Sequence, residues 1–122
     1  MASPHPFGTN HVFSYPEAVA AMLARPPVNY PRFPCVVPSW DNTARRRNGG
    51  ATILHGSTPQ GYAHWLNSVL RDKATFNRLP EPIVFINAWN EWAEGNHLEP
   101  DLHWGHAYLD ATAHSIAEMV DK

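Results

Sequence analysis

The apolar positions of the chain form two kinds of pattern: short consecutive runs and stripes at helical spacing. The strongest stripe follows Thr58 and Pro59, where apolar residues recur at i, i+3, i+4, i+7 and i+8 and so define one face of a helix. Thr58 can cap this helix, and Pro59 suits its first position. The pattern predicts a helix over residues 59–76. Its buried face would comprise Tyr62, Trp65, Leu66, Val69 and Leu70.

Weaker stripes predict one helix before this element and one after it. Ser14 and Glu17 have the spacing of a capping box, and the stripe that follows predicts a helix over residues 15–25, which a Pro-Pro pair ends. The Pro-containing residues 1–13 predict a loop. A last helix is predicted after Gly105. Its buried side would comprise Tyr108, Leu109, Thr112, Ile116, Met119 and Val120.

Two consecutive apolar runs, residues 35–37 and 83–86, predict strands that are covered on both faces. Residues 52–54 predict a further small extended piece. The helix between the two main runs makes a βαβ unit, so these strands are expected to be parallel with a right-handed crossover. The polar loops that follow them, residues 40–42 and 87–94, should then converge at the C-terminal edge, where α/β folds bind ligands.

Composition and charge narrow the class of protein. A chain of 122 residues is expected to form one domain, and a net charge of −2 argues against nucleic acid as a general partner. No apolar stretch approaches the roughly 20 residues of a membrane span, and the N-terminus lacks the apolar core of a signal peptide. The single cysteine, Cys35, is expected to be a buried, inert thiol. These features predict a soluble, cytoplasmic protein.

The second apolar run ends in a cluster of carboxylates and indoles. Glu91 and Glu94 lie three residues apart beside Trp89 and Trp92. Paired carboxylates, one of them protonated, cut glycosidic bonds. Residues three apart in a loop can reach the separation of about 5–5.5 Å found in retaining enzymes. The alternative is a structural pair that caps the next helix or binds an arginine of residues 45–46.

Neighbouring aromatic and amide side chains suit a sugar ligand. Trp40, Trp89 and Trp92 can stack on the CH faces of pyranose rings, or they can pack in the core. Four further side chains can bind sugar hydroxyls or stabilise turns. They are Asp41, Asn42, Asn87 and Asn90.

The segment over residues 97–106 contains residue types that bind transition metals. These are His97, Glu99, Asp101, His103 and His106. Pro100 interrupts the segment, and no regular structure aims all five side chains inward. We therefore expect no metal or other cofactor, and Glu99 is assigned to sugar binding or loop stabilisation.

Several motifs, in this order along the chain, resemble the WbsX-like family. They cover residues 38–46, 55–59, 85–95 and 98–101, followed by Tyr108 and Leu109. This family comprises bacterial proteins of O-antigen and polysaccharide gene clusters, and it is related to glycoside hydrolase family 99, the endo-α-mannosidases. The resemblance runs from about residue 5 to the C-terminus.

The resemblance implies a (β/α)8 TIM-type barrel, a fold of about 250 residues. The chain would be its C-terminal portion, a single partial domain over residues 1–122 from helix six to helix eight, and so a fragment or a truncated reading frame. Strands for about a quarter of a barrel cannot close it. The open edges of residues 83–86 are therefore expected to favour self-association.

The resemblance also implies roles for the two carboxylates. Glu91 would deprotonate the sugar 2-hydroxyl, which then attacks the anomeric carbon, and Glu94 would be the general acid/base. Ala93 stands where the hydrolases commonly carry His. The implied function is cleavage or transfer of a glycosyl unit of an oligo- or polysaccharide in cell-surface polysaccharide metabolism. The alternatives are a non-catalytic carbohydrate-binding remnant and an inactive truncated fragment, and the isolated chain is expected to be inactive.

Overall fold

The computed structural model describes residues 9–120. The helices are α1 (Tyr15–Leu23), α2 (Pro59–Leu70), α3 (Lys73–Phe76) and α4 (Ala107–Val120). The strands are β1 (His11–Ser14), β2 (Cys35–Val36), β3 (Trp40–Asp41), β4 (Thr52–His55), β5 (Phe85–Ile86), β6 (Asn90–Glu91) and β7 (Asn96–His97).

The predicted starts of the first two long helices are confirmed by their caps. The Ser14 hydroxyl accepts the Glu17 N–H at 3.3 Å, and the Thr58 hydroxyl accepts the Gly61 N–H at 3.0 Å. The predicted end of α2 is wrong, because the helix stops at Leu70. Asp72 accepts the Thr75 N–H at 3.1 Å and thereby begins α3 as a separate helix.

The predicted parallel pairing is confirmed, with Cys35 opposite Phe85 and Val36 opposite Ile86 in β2 and β5. The expectation that these strands are covered on both faces is wrong. Side chains alternate between the faces of a strand, and only the Val36 side lies under the helices. Cys35 is exposed rather than buried, and Phe85 is 55% exposed.

A second sheet has the order β1–β4–β3, with β1 parallel and β3 antiparallel to β4. The extended piece predicted at residues 52–54 is therefore its central strand. The loop predicted over residues 1–13 is wrong for residues 11–13, which belong to β1, because strand pairing supplies the order that the local pattern lacks. Residues 1–8 lie outside the described part of the chain. Strands β6 and β7 form a short antiparallel hairpin.

The core lies between helices α1, α2 and α4 and the inner face of β2. Its large buried side chains are Tyr15, Tyr62, Trp65, Leu66 and Tyr108. The predicted buried side of α4 is wrong in its second half, where Ile116 and Val120 are exposed and Ser115 is buried instead. Helix α4 is turned so that residues 108, 112 and 115 face inward. No helix within residues 9–120 has the length and apolarity needed to cross a membrane.

Candidate functional site

The two polar loops beyond the C-terminal ends of β2 and β5 converge, as predicted. Arg45 of the first loop (residues 37–46) contacts two carboxylates of the second loop (residues 87–101). Its Nη2 lies 2.8 Å from Glu91 Oε1, and its Nε lies 3.7 Å from Glu94 Oε1. One guanidinium thus holds both carboxylates side by side.

Two short 3-10 turns bring these charges together. Thr43–Arg45 forms the first, and the Asp41 carboxylate accepts the Thr43 N–H at 3.0 Å at its start. Trp92–Glu94 forms the second. This turn follows directly after Glu91, so the two glutamates lie at its opposite ends.

Gly95 fixes the distance between the loops. Its φ of +54° lies in the left-handed region, which favours glycine. A Cβ at this position would lie 3.0 Å from the carbonyl oxygen of Asp41 and 3.1 Å from its Cβ. Ser39 donates its hydroxyl to the Gly95 carbonyl at 2.6 Å. The loops therefore touch backbone to backbone beside the glutamate pair.

The ion pairs at Arg45 are open to solvent. The Arg45 side chain is 53% exposed, and those of Glu91 and Glu94 are 41% and 28% exposed. Exposed ion pairs of this kind contribute about 1 kcal/mol or less to stability. A polar ligand can therefore displace Arg45 from either carboxylate at small cost. The same contact is the structural alternative considered for these glutamates from the sequence.

Indole rings flank the carboxylates. Trp89 and Trp92 are 55% and 49% exposed, although the Trp89 carbonyl is held by the N–H groups of Leu98 and Glu99 at 3.0 and 3.2 Å. Trp40 is half-buried in β3 opposite Leu54. Two of the three predicted platforms are thus accessible to a ligand.

Trp92 is anchored on one side. Its indole N–H donates to Glu99 Oε1 at 2.9 Å, and its ring stacks on His97 with centroids 3.6 Å apart. His97 Nε2 in turn donates to the Asp101 carboxylate at 3.1 Å. Since His97 covers one face of the indole, the exposed area of Trp92 belongs to the opposite face and the ring edge.

The Asp101 carboxylate is an acceptor at the centre of this arrangement. Burial acts to raise its pKa, but hydrogen bonds from the Trp104 N–H and from His97 outweigh it and lower the pKa. The other imidazole nitrogen of His97 is buried and has no hydrogen-bond partner within residues 9–120. Over the same residues, no group of three or more His, Cys, Asp or Glu side chains is arranged to hold a metal ion.

The candidate amide residues build the loops. Asn42 accepts the Thr52 N–H at 2.8 Å, and Asn87 accepts from the Asn96 side chain at 3.1 Å. The fully buried Asn96 also accepts the Ala88 N–H at 2.9 Å. Asn90 lies in β6 opposite His97. Asp41 and Asn42 therefore make the turn-stabilising contacts that the sequence left open beside sugar binding.

Sequence reasoning misses two residues that shape the site. Asn96 carries one local signal, since it follows a glycine directly after the Glu-Trp cluster, a position that favours a side-chain bond to the backbone. Ser39 is noticeable in the sequence only as a member of the motif over residues 38–46. Arg45 features only in the structural alternative, and nothing in the local sequence shows that it would reach both glutamates.

Comparison with known proteins identifies the family. A family model described as glycosyltransferase WbsX matches residues 3–112. A curated protein of Xanthomonas campestris pv. campestris strain B100, described as uncharacterized protein WxcX, is 40% identical over 117 residues, which cover 96% of this chain and 17% of that protein. The WxcX protein of a second strain is 39% identical with the same coverage.

The chain thus spans 17% of the length of these curated relatives. No solved structure gives a match. The family match extends across both polar loops, the helix between them and the first six residues of α4. It also agrees with the resemblance carried by the sequence motifs. The chain therefore belongs to the WbsX glycosyltransferase family.

Proposed function

We propose that the chain is the C-terminal part of a carbohydrate-active (β/α)8 barrel that acts on cell-surface polysaccharide of the O-antigen type. In this proposal Glu91 and Glu94 cleave or transfer a glycosyl unit. The observation that carries it is the joint contact of both carboxylates with Arg45, beyond the C-terminal ends of two parallel strands. Active sites of (β/α)8 barrels lie at this end of the strands.

The uncovered face of the parallel strand pair β2–β5 supports the proposed barrel. Helices cover the Val36 side of β2, while Cys35 and Phe85 on the other side remain exposed. In a closed barrel, side chains from the remaining strands fill that interior. The 17% coverage of the curated relatives leaves ample chain to supply them. In the isolated chain, the open edges of the pair favour self-association.

The proposed roles are those that the resemblance to glycoside hydrolase family 99 implies for the two carboxylates of the second loop. Glu91 takes the proton of the sugar 2-hydroxyl, which attacks the anomeric carbon, and Glu94 protonates the leaving oxygen. The exposed faces of Trp89 and Trp92 stack on the sugar rings. Arg45 stays bound to both carboxylates until a substrate hydroxyl takes the place of its guanidinium group.

Carbohydrate binding without turnover is the second candidate function. It is favoured by the exposure of Trp89 and Trp92 together with the ion pairing of both glutamates to Arg45. A binding module needs the indoles and the loop geometry, whereas catalysis also needs both carboxylates. Substitutions at the two kinds of residue therefore separate the candidates.

Allele replacement in the cell that encodes the chain tests the proposal whichever sugar is the substrate. We expect Glu91→Gln and Glu94→Gln to alter the size ladder and sugar composition of the surface polysaccharide as a gene deletion does. The matched control is Glu118→Gln, since Glu118 is an exposed carboxylate paired with Arg71 at 3.0 Å on α4.

The pattern across alleles separates the outcomes. If both glutamate alleles give wild-type polysaccharide while Trp89→Ala resembles the deletion, the site binds sugar without catalysis. If Trp89→Ala and both glutamate alleles all match the wild type, the loops do not handle carbohydrate and the proposal is wrong.

A further inference from the structure

A cavity of about 380 Å³ lies at the N-terminal end of β2, whereas Glu91 and Glu94 follow the C-terminal ends of the strands. Its walls come from the end of α1, the segment before β2, the second half of α2, and α3. The volume falls within the range of about 300–1,000 Å³ that is usual for small-molecule sites. Neither of the functions proposed above uses this cavity.

The cavity wall is strongly cationic. Arg25, Arg32 and Arg78 line it together with one carboxylate, that of Asp72, so the lining carries a net charge of +2 in a chain whose net charge is −2. Within residues 9–120, none of the three arginines forms an ion pair with a carboxylate at 4.0 Å or less. An unbalanced cationic cluster of this kind attracts an anion.

The contacts that the lining charges do make are weak or local. Arg78 donates to the Val28 carbonyl at 3.3 Å, and Arg25 lies 3.9 Å from the Met22 sulfur. Asp72 accepts from the Thr75 hydroxyl at 2.6 Å and the Thr75 N–H at 3.1 Å, and these bonds lower its pKa. The carboxylate is therefore engaged chiefly in capping α3, and the charge of Arg78 acts on it as well. Within residues 9–120, no guanidinium group of the lining lies within 4.0 Å of it.

Most of the remaining wall is formed by apolar side chains, among them Leu23, Phe33, Trp65 and Val69. A smaller cavity of about 40 Å³ adjoins the first and shares Arg32 and Arg78 with it. These two arginines thus lie at the boundary of both cavities. The larger one offers a cationic rim and an apolar interior, the combination that suits an amphiphilic anion.

We infer that this cavity binds a phosphate monoester that carries an apolar chain. The phosphate lies against Arg32 and Arg78, and the apolar chain packs along Phe33 and Val69. Guanidinium groups bind phosphate oxygens in bidentate fashion. A phosphate monoester carries a charge of about −1.5 to −2 at pH 7 and so neutralises the net charge of +2 on the cavity lining. A carboxylate would neutralise only half of that charge.

Calorimetric titration of the 122-residue chain with octyl phosphate, below the micelle concentration of this ligand, tests this inference. We expect saturable binding that weakens by about tenfold or more in Arg32→Gln, because a charge-assisted hydrogen-bond pair is lost. The matched control is Arg71→Gln, because Arg71 directly precedes the lining residue Asp72 but pairs with Glu118. It should bind as the wild type does.

Companion ligands identify which part of the ligand is recognised. Octyl glucoside and octanoate should bind at least tenfold more weakly than octyl phosphate, and inorganic phosphate should bind more weakly because it lacks the apolar chain. Equal binding of octyl glucoside would overturn the assignment of the phosphate to the arginines. So would the absence of octyl phosphate binding, or unchanged affinity in Arg32→Gln.

A second variant covers the case in which Arg32→Gln lowers the thermal midpoint of the chain. Arg78→Gln removes the other arginine that holds the phosphate, at an exposed position, and should weaken octyl phosphate binding in the same way. If the folded Arg78→Gln chain binds octyl phosphate as tightly as Arg71→Gln does, the inference is wrong.

Discussion

At the scale of single residues, Gly95 decides whether the two loops stay in contact. Its φ of +54° is strained for any other residue, and an added Cβ would lie 3.0 Å from the Asp41 carbonyl oxygen, so the Asp41 backbone would have to move by a few tenths of an ångström. We predict that Gly95→Ala destabilises the chain by about 1–3 kcal/mol and separates the Arg45 guanidinium from the glutamates. Thermal unfolding gives the first effect, and the Arg45 side-chain NMR signals give the second.

Gly105→Ala is the matched control for this substitution. Gly105 has a similar φ of +57° but no atom within 4 Å of an added Cβ. The Gly105→Ala variant therefore carries the backbone strain of a non-glycine residue at positive φ, but no steric clash. Equal losses of stability in the two variants would show that the contact between Gly95 and Asp41 does not hold the loops together.

The candidate site could be predicted in part from single residues. Glu91, Glu94, Trp89 and Trp92 are evident because they are neighbours in the sequence after an apolar run. The link from Arg45 to Glu91 joins residues 46 positions apart, and no local spacing encodes it. The covering of one face of Trp92 by His97 likewise depends on the turn at Gly95.

At the scale of elements, each of the three long helices contributes one buried tyrosine to the core: Tyr15 from α1, Tyr62 from α2 and Tyr108 from α4. The Tyr15 hydroxyl donates to the Val37 carbonyl at 2.7 Å. Thr112 donates its own hydroxyl to the Tyr108 carbonyl, so Tyr62 donates to Thr112 at 2.8 Å. A protonated phenol thus joins α2 to α4, and another joins α1 to the residue after β2.

This arrangement predicts unfolding at alkaline pH. Burial raises the pKa of all three phenols above the ordinary value of 10.0, so the folded chain holds these protons more tightly than the unfolded chain does. The stability they contribute is complete below pH 10 and falls as pH rises beyond it, by up to about 1.4 kcal/mol per pH unit for each tyrosine. Urea unfolding from about pH 8 to 11 measures the slope.

Substituting single tyrosines tests whether the buried phenols cause this pH dependence of the free energy of unfolding. Tyr62→Phe should make the pH dependence shallower, whereas Tyr30→Phe should leave it unchanged because Tyr30 is exposed. A slope that is the same in Tyr62→Phe and the wild type would contradict the account of the helix contacts.

The elements differ in how far the sequence predicts them. The starts of α1 and α2 follow from caps within four residues, which are local signals. Strand β1 forms only because β4 lies beside it, and the turn of α4 about its axis is set by packing against α2. Both depend on contacts between distant segments, so periodicity alone puts Ile116 and Val120 on the wrong face.

At the scale of the whole molecule, the parallel pair β2–β5 separates two chemically different ends. The carboxylates and indoles lie beyond its C-terminal end, and the arginine-lined cavity lies at its N-terminal end. Helices cover one face of the pair and leave the other open. The open face includes the exposed side chains of Cys35 and Phe85.

The central claim is that Glu94 acts as the acid/base of a glycosyl cleavage or transfer. The most direct test measures turnover by the full-length protein that contains this chain. Turnover is recorded as new reducing ends or as transferred labelled sugar. We predict that Glu94→Gln lowers turnover by about 100- to 10,000-fold, while Glu118→Gln retains it. Near-normal turnover in Glu94→Gln would contradict the claim.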